Sequence, residues 1–390
     1  MKHKIKIVFS LVAIITLLGL VSQKLSAQTV NDTVKKAEFK PSGKVWGYVF
    51  GDYYVKTDAD SLSRGNTQYA GVAKDANAFE FRRAYLGYDY AISEKFSTEI
   101  LISYEGQTLS DNATRTFFLK SANLRWKNIF KNNDLVIGQM STPSFPMLSE
   151  KIWGYRAVEK TIADMRKIAV SNDVGIAIQG KLNEKGNMGY NFMIGNGTAQ
   201  KIETDLNKKY YGDVYFKLLN QKIIIDLYAD YEVVKDAPKF QKSKTAYKLF
   251  VAYTSDKITI GAEAFQQTLK NNVIATDLTT GKTDSLNSTS IGYSLFVRGR
   301  IIKDKLNYFA RFDGFNPDTK FDADKLYLSG GTPVTEEFIT AGIDYTPHKN
   351  VHIMPNVWYN SYANRSKNVT GKVKSDLDFV VRLTFYYIFK

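Results

Sequence analysis

The side chains that could act on other molecules in this sequence are mainly charged, and some recur two positions apart. Arg298 and Arg300 are separated by a single glycine. On an extended strand both would project from the same face. Guanidinium groups on one wall of a water-filled space attract anions through their field and through charge-assisted hydrogen bonds. The pattern therefore indicates recognition of charged solutes rather than covalent chemistry.

Covalent catalysis has little support in the residue types. The chain has no cysteine and three histidines, of which His348 and His352 are the only ones beyond the first residues, and it has no G-x-S-x-G motif. The two histidines have a spacing that suits a metal on a helix, but they lie in an extended segment. No basic helix or aromatic-basic module suggests nucleic-acid binding. We predict a protein that is not an enzyme and has no cofactor, metal or nucleic-acid partner.

Residues 1–27 have the pattern of a secretory signal peptide. Three lysines precede an uncharged apolar run over residues 7–21, and Leu25-Ser26-Ala27 offers a cleavage site before Gln28. The run is shorter than the roughly 20 residues that a membrane-spanning helix needs. Cleavage would remove four lysines and no acids, so the formal charge of +14 would fall to +10. Residues 28–43 then read as a polar tail.

The composition excludes two large classes of protein. The 390 residues are 14% aromatic and 24% charged, with a mean hydropathy of −0.28. So many aromatic residues argue against a disordered chain, and the negative hydropathy argues against a bundle of membrane-spanning helices. A large soluble fold or a β-barrel remains.

Residues 44–390 alternate between apolar and polar side chains with a period of two. The final segment shows this best, because every odd position from Leu377 to Phe389 is large and apolar, while Asp378, Arg382 and Thr384 lie between them. About 16 such segments, each of about ten residues, can be recognised. One face of each strand suits lipid and the other suits water.

The connections between these segments alternate in length. Short polar joints such as residues 220–222 and 303–305 alternate with long ones such as residues 56–76 and 141–172. Short turns at one rim and long loops at the other are typical of outer-membrane barrels. We therefore predict an all-β fold, a closed antiparallel transmembrane β-barrel of about 16 strands, in the outer membrane of a diderm bacterium.

Strand parity places a mixed set of charges on the inner wall. Acidic positions such as Asp313 and Asp378 share this wall with basic ones. The candidate lumen-wall arginines are Arg125, Arg298, Arg300, Arg311 and Arg382. They could attract anions, or they could pair with the acids and brace the wall of a weakly selective pore. The parity changes phase near Arg82-Arg83, and Pro355 interrupts a strand, which predicts a bulge or a break there.

Four segments resemble the phosphate-selective porin O/P family of outer-membrane porins. They are residues 79–90 (FEFRRAYLGYDY), residues 135–146 (LVIGQMSTPSFP), residues 172–182 (NDVGIAIQGKL) and the last strand, which ends in Phe389-Lys390. The resemblance implies a 16-stranded barrel, usually a homotrimer, whose third long loop folds into the lumen. Here that loop is residues 141–172, with the basic residues Lys151, Arg156, Lys160, Arg166 and Lys167 as candidates for the pore constriction. The penultimate aromatic residue resembles the signal that the barrel-assembly machinery reads.

The function expected from these observations is passive diffusion of small hydrophilic solutes across the outer membrane, with a mild preference for anions and phosphate as one candidate. Besides these solutes, the protein would contact outer-membrane lipid. One alternative is a barrel that works through its extracellular loops, as an adhesin or a docking subunit. Another is a carbohydrate-specific channel, which would need an aromatic ladder along the constriction.

Overall fold

The computed structural model describes residues 38–65, 67–106, 114–235, 241–322, 325–328, 333–363 and 376–390. The predicted signal peptide and most of the predicted tail lie outside these residues. The strands are β1 (Ser42–Asp58), β2 (Asn77–Ala91), β3 (Phe96–Glu105), β4 (Phe118–Phe130), β5 (Asn133–Ser141), β6 (Asn172–Lys181), β7 (Met188–Gly195), β8 (Lys209–Leu218), β9 (Ile223–Lys235), β10 (Lys242–Thr254), β11 (Ile258–Asp277), β12 (Thr283–Ile302), β13 (Leu306–Asn316), β14 (Leu326–Leu328), β15 (Glu336–His348), β16 (Val351–Tyr362) and β17 (Leu377–Phe389). The helices are α1 (Ser149–Trp153) and α2 (Ile162–Met165).

Sixteen of these strands form a closed antiparallel barrel. Each strand pairs with its neighbour in sequence, and β1 pairs with both β2 and β17, which closes the sheet. The three-residue strand β14 lies outside this ring and extends the hairpin of β11 and β12, with Ala275 opposite Leu328. The predicted fold class and strand number are confirmed.

The period of two in the sequence becomes the two faces of the wall. In β17, Val381 and Leu383 are 45% and 46% exposed on the outside, whereas Arg382 and Thr384 between them are 2% and 0% exposed. Successive side chains of a strand point to opposite faces, so an apolar outer surface and a polar inner one follow directly from the alternation.

Short and long connections lie at opposite ends of the barrel. The short turns are residues 92–95, 131–132, 182–187, 219–222, 255–257, 303–305 and 349–350, and we call their rim the short-turn end. The other rim is the long-loop end, which carries L1 (residues 59–76) and L3 (residues 142–171). In the part of the chain that the structure describes, no helix has the length and apolar character to cross a membrane.

A β-bulge explains the change of phase at Arg82-Arg83. Arg83 lies opposite Phe50, but the next pair joins Phe81 to Gly51, so β2 has one extra residue at this point. Both arginines consequently face the interior. Arg82 forms an ion pair with Asp52, and Arg83 Nη1 lies 3.1 Å from a carboxylate oxygen of Glu105.

Pro355 lies at a local gap in one of its two ladders. Its pairing with Leu383 of β17 is regular. On the β15 side the pairs run from Gly342–Asn356 to Tyr345–Ile353 with none between them. A Cβ at Gly342 would lie 2.5 Å from the Pro355 carbonyl oxygen, so only glycine allows this close approach. The break agrees with the missing N–H of proline.

Candidate functional site

L3 enters the barrel and packs there as an apolar core. Phe145 and Val158 are 0% exposed, and Trp153 and Ile162 are 1% exposed. The Trp153 ring meets the inward Phe296 of β12 edge to face, with centroids 5.1 Å apart. The predicted inward fold of this loop is confirmed, and burial of its aromatic residues holds it against the wall.

Glu159 is a central contact of L3. Its backbone carbonyl accepts a hydrogen bond from Trp153 Nε1 at 2.8 Å, and its carboxylate accepts one from Trp358 Nε1 of β16 at 2.8 Å. Five residues earlier in the chain, helix α1 ends at Gly154. This residue has the left-handed φ of 71° that is typical of a helix C-cap, and its N–H donates to Glu150 O at 3.0 Å. The chain reversal after α1 thus brings Glu159 against the wall.

Wall arginines fix the L3 backbone by donating to its carbonyl groups. Arg82 Nη1 donates to Val158 O at 3.1 Å, and Arg298 Nε donates to Ile152 O at 2.9 Å. Arg311 donates to the carbonyl of Lys160. Buried carbonyl groups without strand partners need such donors. The alternation along each strand predicts that these arginines face inward, but it does not show that they hold the L3 backbone in place.

The basic residues predicted for the constriction differ in their surroundings. Arg156 pairs with Glu150 and lies 2.8 Å from Asp164. Arg166 is buried, with Nη1 2.6 Å from Glu336 Oε2 of β15. Lys160 is half-buried, and Lys151 and Lys167 are exposed. The two arginines of this set are therefore held by carboxylates, and two of its three lysines are exposed.

The five predicted wall arginines also fall into distinct groups. Arg125 is 3.0 Å from Asp134 and remains partly exposed. Arg311 is buried with Asp313. Arg382 is buried, donates from Nε to Asn356 Oδ1 at 2.8 Å and lies near the Tyr69 ring. Arg298 and Arg300 line an open cavity.

L1 also reaches into the barrel, a contact that was not predicted from the sequence. Tyr69 is 2% exposed and packs between Tyr54 and Trp358, with centroid distances of 5.3 and 5.1 Å. Lys56 Nζ donates to the carbonyl of Tyr69 at 2.8 Å and pairs with Asp378 at 2.7 Å. An isolated aromatic residue in a polar loop was the only signal for this contact.

Three cavities lie around the short-turn end, with volumes of about 850, 530 and 400 Å³. Eleven basic and six acidic residues line them. The basic ones are Lys44, Arg125, Lys127, Lys151, Lys181, Lys217, Lys257, Arg298, Arg300, Lys305 and Lys349, and the acidic ones are Asp89, Glu99, Asp134, Asp256, Asp304 and Asp344. A sequence signal for this charge exists, because each of the seven short turns contains a lysine. We call the largest space, lined by Arg298 and Arg300, the Arg298 cavity.

Two acids of L3 are held in their ionised forms. Burial opposes ionisation of Asp164, but the neighbouring Arg156 outweighs this and lowers its pKa. Burial likewise opposes ionisation of Glu159, but Arg382 and Arg82 lower its pKa. The pKa of Glu150 is raised, because burial and Asp164 outweigh the attraction of Arg156.

Acidification should loosen L3. A folded-state pKa below the ordinary value gives stability that is present above that value, about 4, and lost as pH falls through the folded pKa. We expect the fluorescence of Trp153 and Trp358 in the folded protein to be constant from pH 8 to 5 and to shift to the red below about pH 4. The variant Glu159→Gln should weaken this transition. A transition near pH 6, or none down to pH 3, would contradict the assignment.

No family model and no curated protein matches this chain. Several solved structures do. The outer-membrane channel DcaP of Acinetobacter baumannii is 13% identical with a TM-score of 0.61, over 91% of this chain and 100% of that one. The anion-selective porin from Comamonas acidovorans is 11% identical with a TM-score of 0.56, over 90% and 100%. The trimer form of OmpT from Vibrio cholerae is 11% identical with a TM-score of 0.54, over 90% and 99%.

The TM-scores show a shared fold, at sequence identities too low to show a shared family. The specific resemblance to the phosphate-selective O/P porins stays a prediction. The closed 16-strand barrel of this chain shares its fold with these outer-membrane proteins.

Proposed function

We propose that this protein is an outer-membrane porin through which small hydrophilic solutes diffuse, with a mild preference for anions. The observation that carries the proposal is the excess of basic over acidic residues around the cavities at the short-turn end of a 16-strand barrel. Barrels of this size leave an aqueous channel. A cleft with one dominant sign of charge and low-dielectric walls concentrates ions of the opposite sign.

Different basic residues have different tasks in this proposal. Lys151, Arg298 and Arg300 face the cavities and would attract anions. Arg156, Arg166 and Arg311 pair with carboxylates and would hold L3 in place. Phosphate is one solute that fits such a field, because it accepts hydrogen bonds from Lys and Arg.

The cellular setting is part of the proposal. Residues 1–27 would direct export, and the apolar outer face would contact outer-membrane lipid. The similar barrel of Vibrio cholerae is described as a trimer form, and the one from Comamonas acidovorans as anion-selective. A homotrimer inserted by the barrel-assembly machinery, with anion preference, is therefore the assembly that we propose.

Bilayer electrophysiology tests the function. Folded protein in a planar bilayer under a KCl gradient should conduct, with a reversal potential that favours chloride. Lys151→Glu should shift the reversal potential in the direction of greater potassium permeability, because the side chain faces a cavity. Lys201→Glu changes the charge equally on an exposed residue between β7 and β8 and should leave it unchanged. A potassium-selective wild-type protein would refute the anion preference.

One observation favours a second function, a barrel whose loops bind a partner while its interior is filled. L1 and L3 both place fully buried side chains inside the barrel. In this case the folded protein would show no conductance in the same bilayer.

A further inference from the structure

We propose that the Arg298 cavity is a binding site for a small organic anion, in which a carboxylate or phosphate group is attached to a planar apolar body. The site deepens the proposed porin function, since it names a class of solute that would be held at the short-turn end. Its volume of about 850 Å³ lies within the range of small-molecule sites.

Two arginines in this cavity lack the carboxylate partners that most other described arginines of the barrel have. Six arginines of the barrel strands and L3 pair with carboxylates: Arg82, Arg83, Arg125, Arg156, Arg166 and Arg311. Across the described residues, Arg298 and Arg300 form no such pair. Arg382 also forms none, but it is buried, whereas Arg298 and Arg300 line open space. A guanidinium group in this situation is a two-pronged donor for carboxylate or phosphate oxygens.

L3 holds Arg298 in position before any ligand arrives. Its Nε donates to Ile152 O at 2.9 Å, which leaves its two Nη groups for other acceptors. A Cβ added to Gly154 would lie 3.5 Å from Arg298 Cζ, so the side chain rests against this glycine. Such preorganisation lowers the entropy cost of binding.

The most buried acid of the cavity is already engaged. Asp344 accepts a hydrogen bond from Tyr155 Oη at 3.3 Å, and its Oδ1 lies 2.9 Å from His352 Nδ1. These contacts orient both carboxylate oxygens toward Tyr155 and His352. The charge of Asp344 thus opposes a bound anion less than an unengaged carboxylate would.

One side of the cavity is formed by two stacked rings and a methionine, and this side determines the class of ligand. The Tyr386 and His352 rings are stacked with centroids 5.2 Å apart, and Met354 lies beside them in the lining. An aromatic or similarly planar body could cover these side chains while its acidic group meets Arg298 and Arg300. Inorganic anions cannot use this surface.

Fluorine NMR tests the site without requiring a conducting channel. The probe is 4-fluorobenzoate, added to the folded full-length protein in detergent. We expect its resonance to broaden, and the double variant Arg298→Gln with Arg300→Gln to raise the dissociation constant at least about tenfold. The matched control, Lys127→Gln with Lys181→Gln, removes two charges from the other cavities and should bind as the wild type does. Neutral 4-fluorobenzyl alcohol should not bind.

Competition experiments compare carboxylate with phosphate as the acidic group and test whether the apolar body contributes to binding. Benzoate and phenyl phosphate should displace the probe, and their relative strength identifies the preferred acid, whereas inorganic phosphate should displace it far more weakly. Three results would overturn the site. They are an arginine variant that binds the probe as tightly as the wild type, a lysine control that loses as much affinity as the arginine variant, and inorganic phosphate that competes as strongly as benzoate or phenyl phosphate. Heat-modifiable migration in gels verifies that each variant is folded. A protein that binds the probe but does not conduct would refute only the porin function, and the converse result would refute only the site.

Discussion

Replacing Arg311 by methionine should destabilise the folded barrel by about 3–5 kcal/mol, because it removes one partner of a buried ion pair. The Arg311 and Asp313 side chains are 1% and 0% exposed, and Arg311 Nε lies 2.8 Å from Asp313 Oδ1. Without the guanidinium, the Asp313 carboxylate would remain buried and lose its ion-pair partner, and the Lys160 carbonyl would lose its donor. Urea-induced unfolding of the detergent-folded protein, followed by tryptophan fluorescence, measures the loss.

A matched control lies elsewhere on the same inner wall. Arg125 and Asp134 form the same kind of pair, with side chains 32% and 29% exposed. Arg125→Met should therefore cost less than about 1 kcal/mol, because water can solvate the remaining carboxylate. Combining Arg311→Met with Asp313→Leu should recover most of the stability that the single variant loses. Equal losses for Arg311→Met and Arg125→Met would show that burial does not decide the strength of these pairs.

Excising most of L3 should increase single-channel conductance several-fold. The β5–β6 ladder ends with Ser141 opposite Asn172, and Thr142 N donates to Ser171 O at 3.0 Å just beyond it. Residues 145–168 can therefore be replaced by a short Gly-Ser linker without disturbing the hairpin. The emptied lumen of a 16-strand barrel would form a wide aqueous channel. Conductance in symmetric KCl measures the effect.

The control for this deletion is a loop that stays outside the lumen. Between β7 and β8, Ile202 and Leu206 are 86% and 85% exposed, so shortening residues 199–206 should leave conductance unchanged. If the L3 deletion also conducted like the intact protein, L3 would not be the element that narrows the pore.

The barrel could be predicted from the sequence because each strand carries its own signal. Alternation within β17 distinguishes the two faces without any knowledge of a neighbouring strand. The bulge in β2 is harder to predict. The sequence shows that the alternation changes phase, but which side chains face inward depends on the pairing of Arg83 with Phe50. Which residue of a bulged pair faces inward is decided by the partner strand, and a single segment does not contain that information.

The interior was less predictable because its contacts join distant residues. Arg166 of L3 pairs with Glu336, and no local pattern connects the two. The sequence contains one signal for these contacts, because Phe250, Phe296 and Phe309 are apolar residues at inward positions of a wall that is otherwise largely polar. Apolar side chains on a wet face indicate that something covers them, and here it is L3.

The inward fold of L1 has a consequence for the order of barrel assembly. Lys56 pairs with Asp378, and the backbone N–H of Asp60 donates to the same carboxylate at 2.9 Å. Both contacts span the junction between the first and last strands, which are more than 300 residues apart in sequence. Lys56 of β1 and Asp60 of L1 can acquire this partner only when β17 has joined β1, because loop closure over such a distance must come first. Docking of Tyr69 would therefore be among the last events of folding and would mark a barrel that has closed.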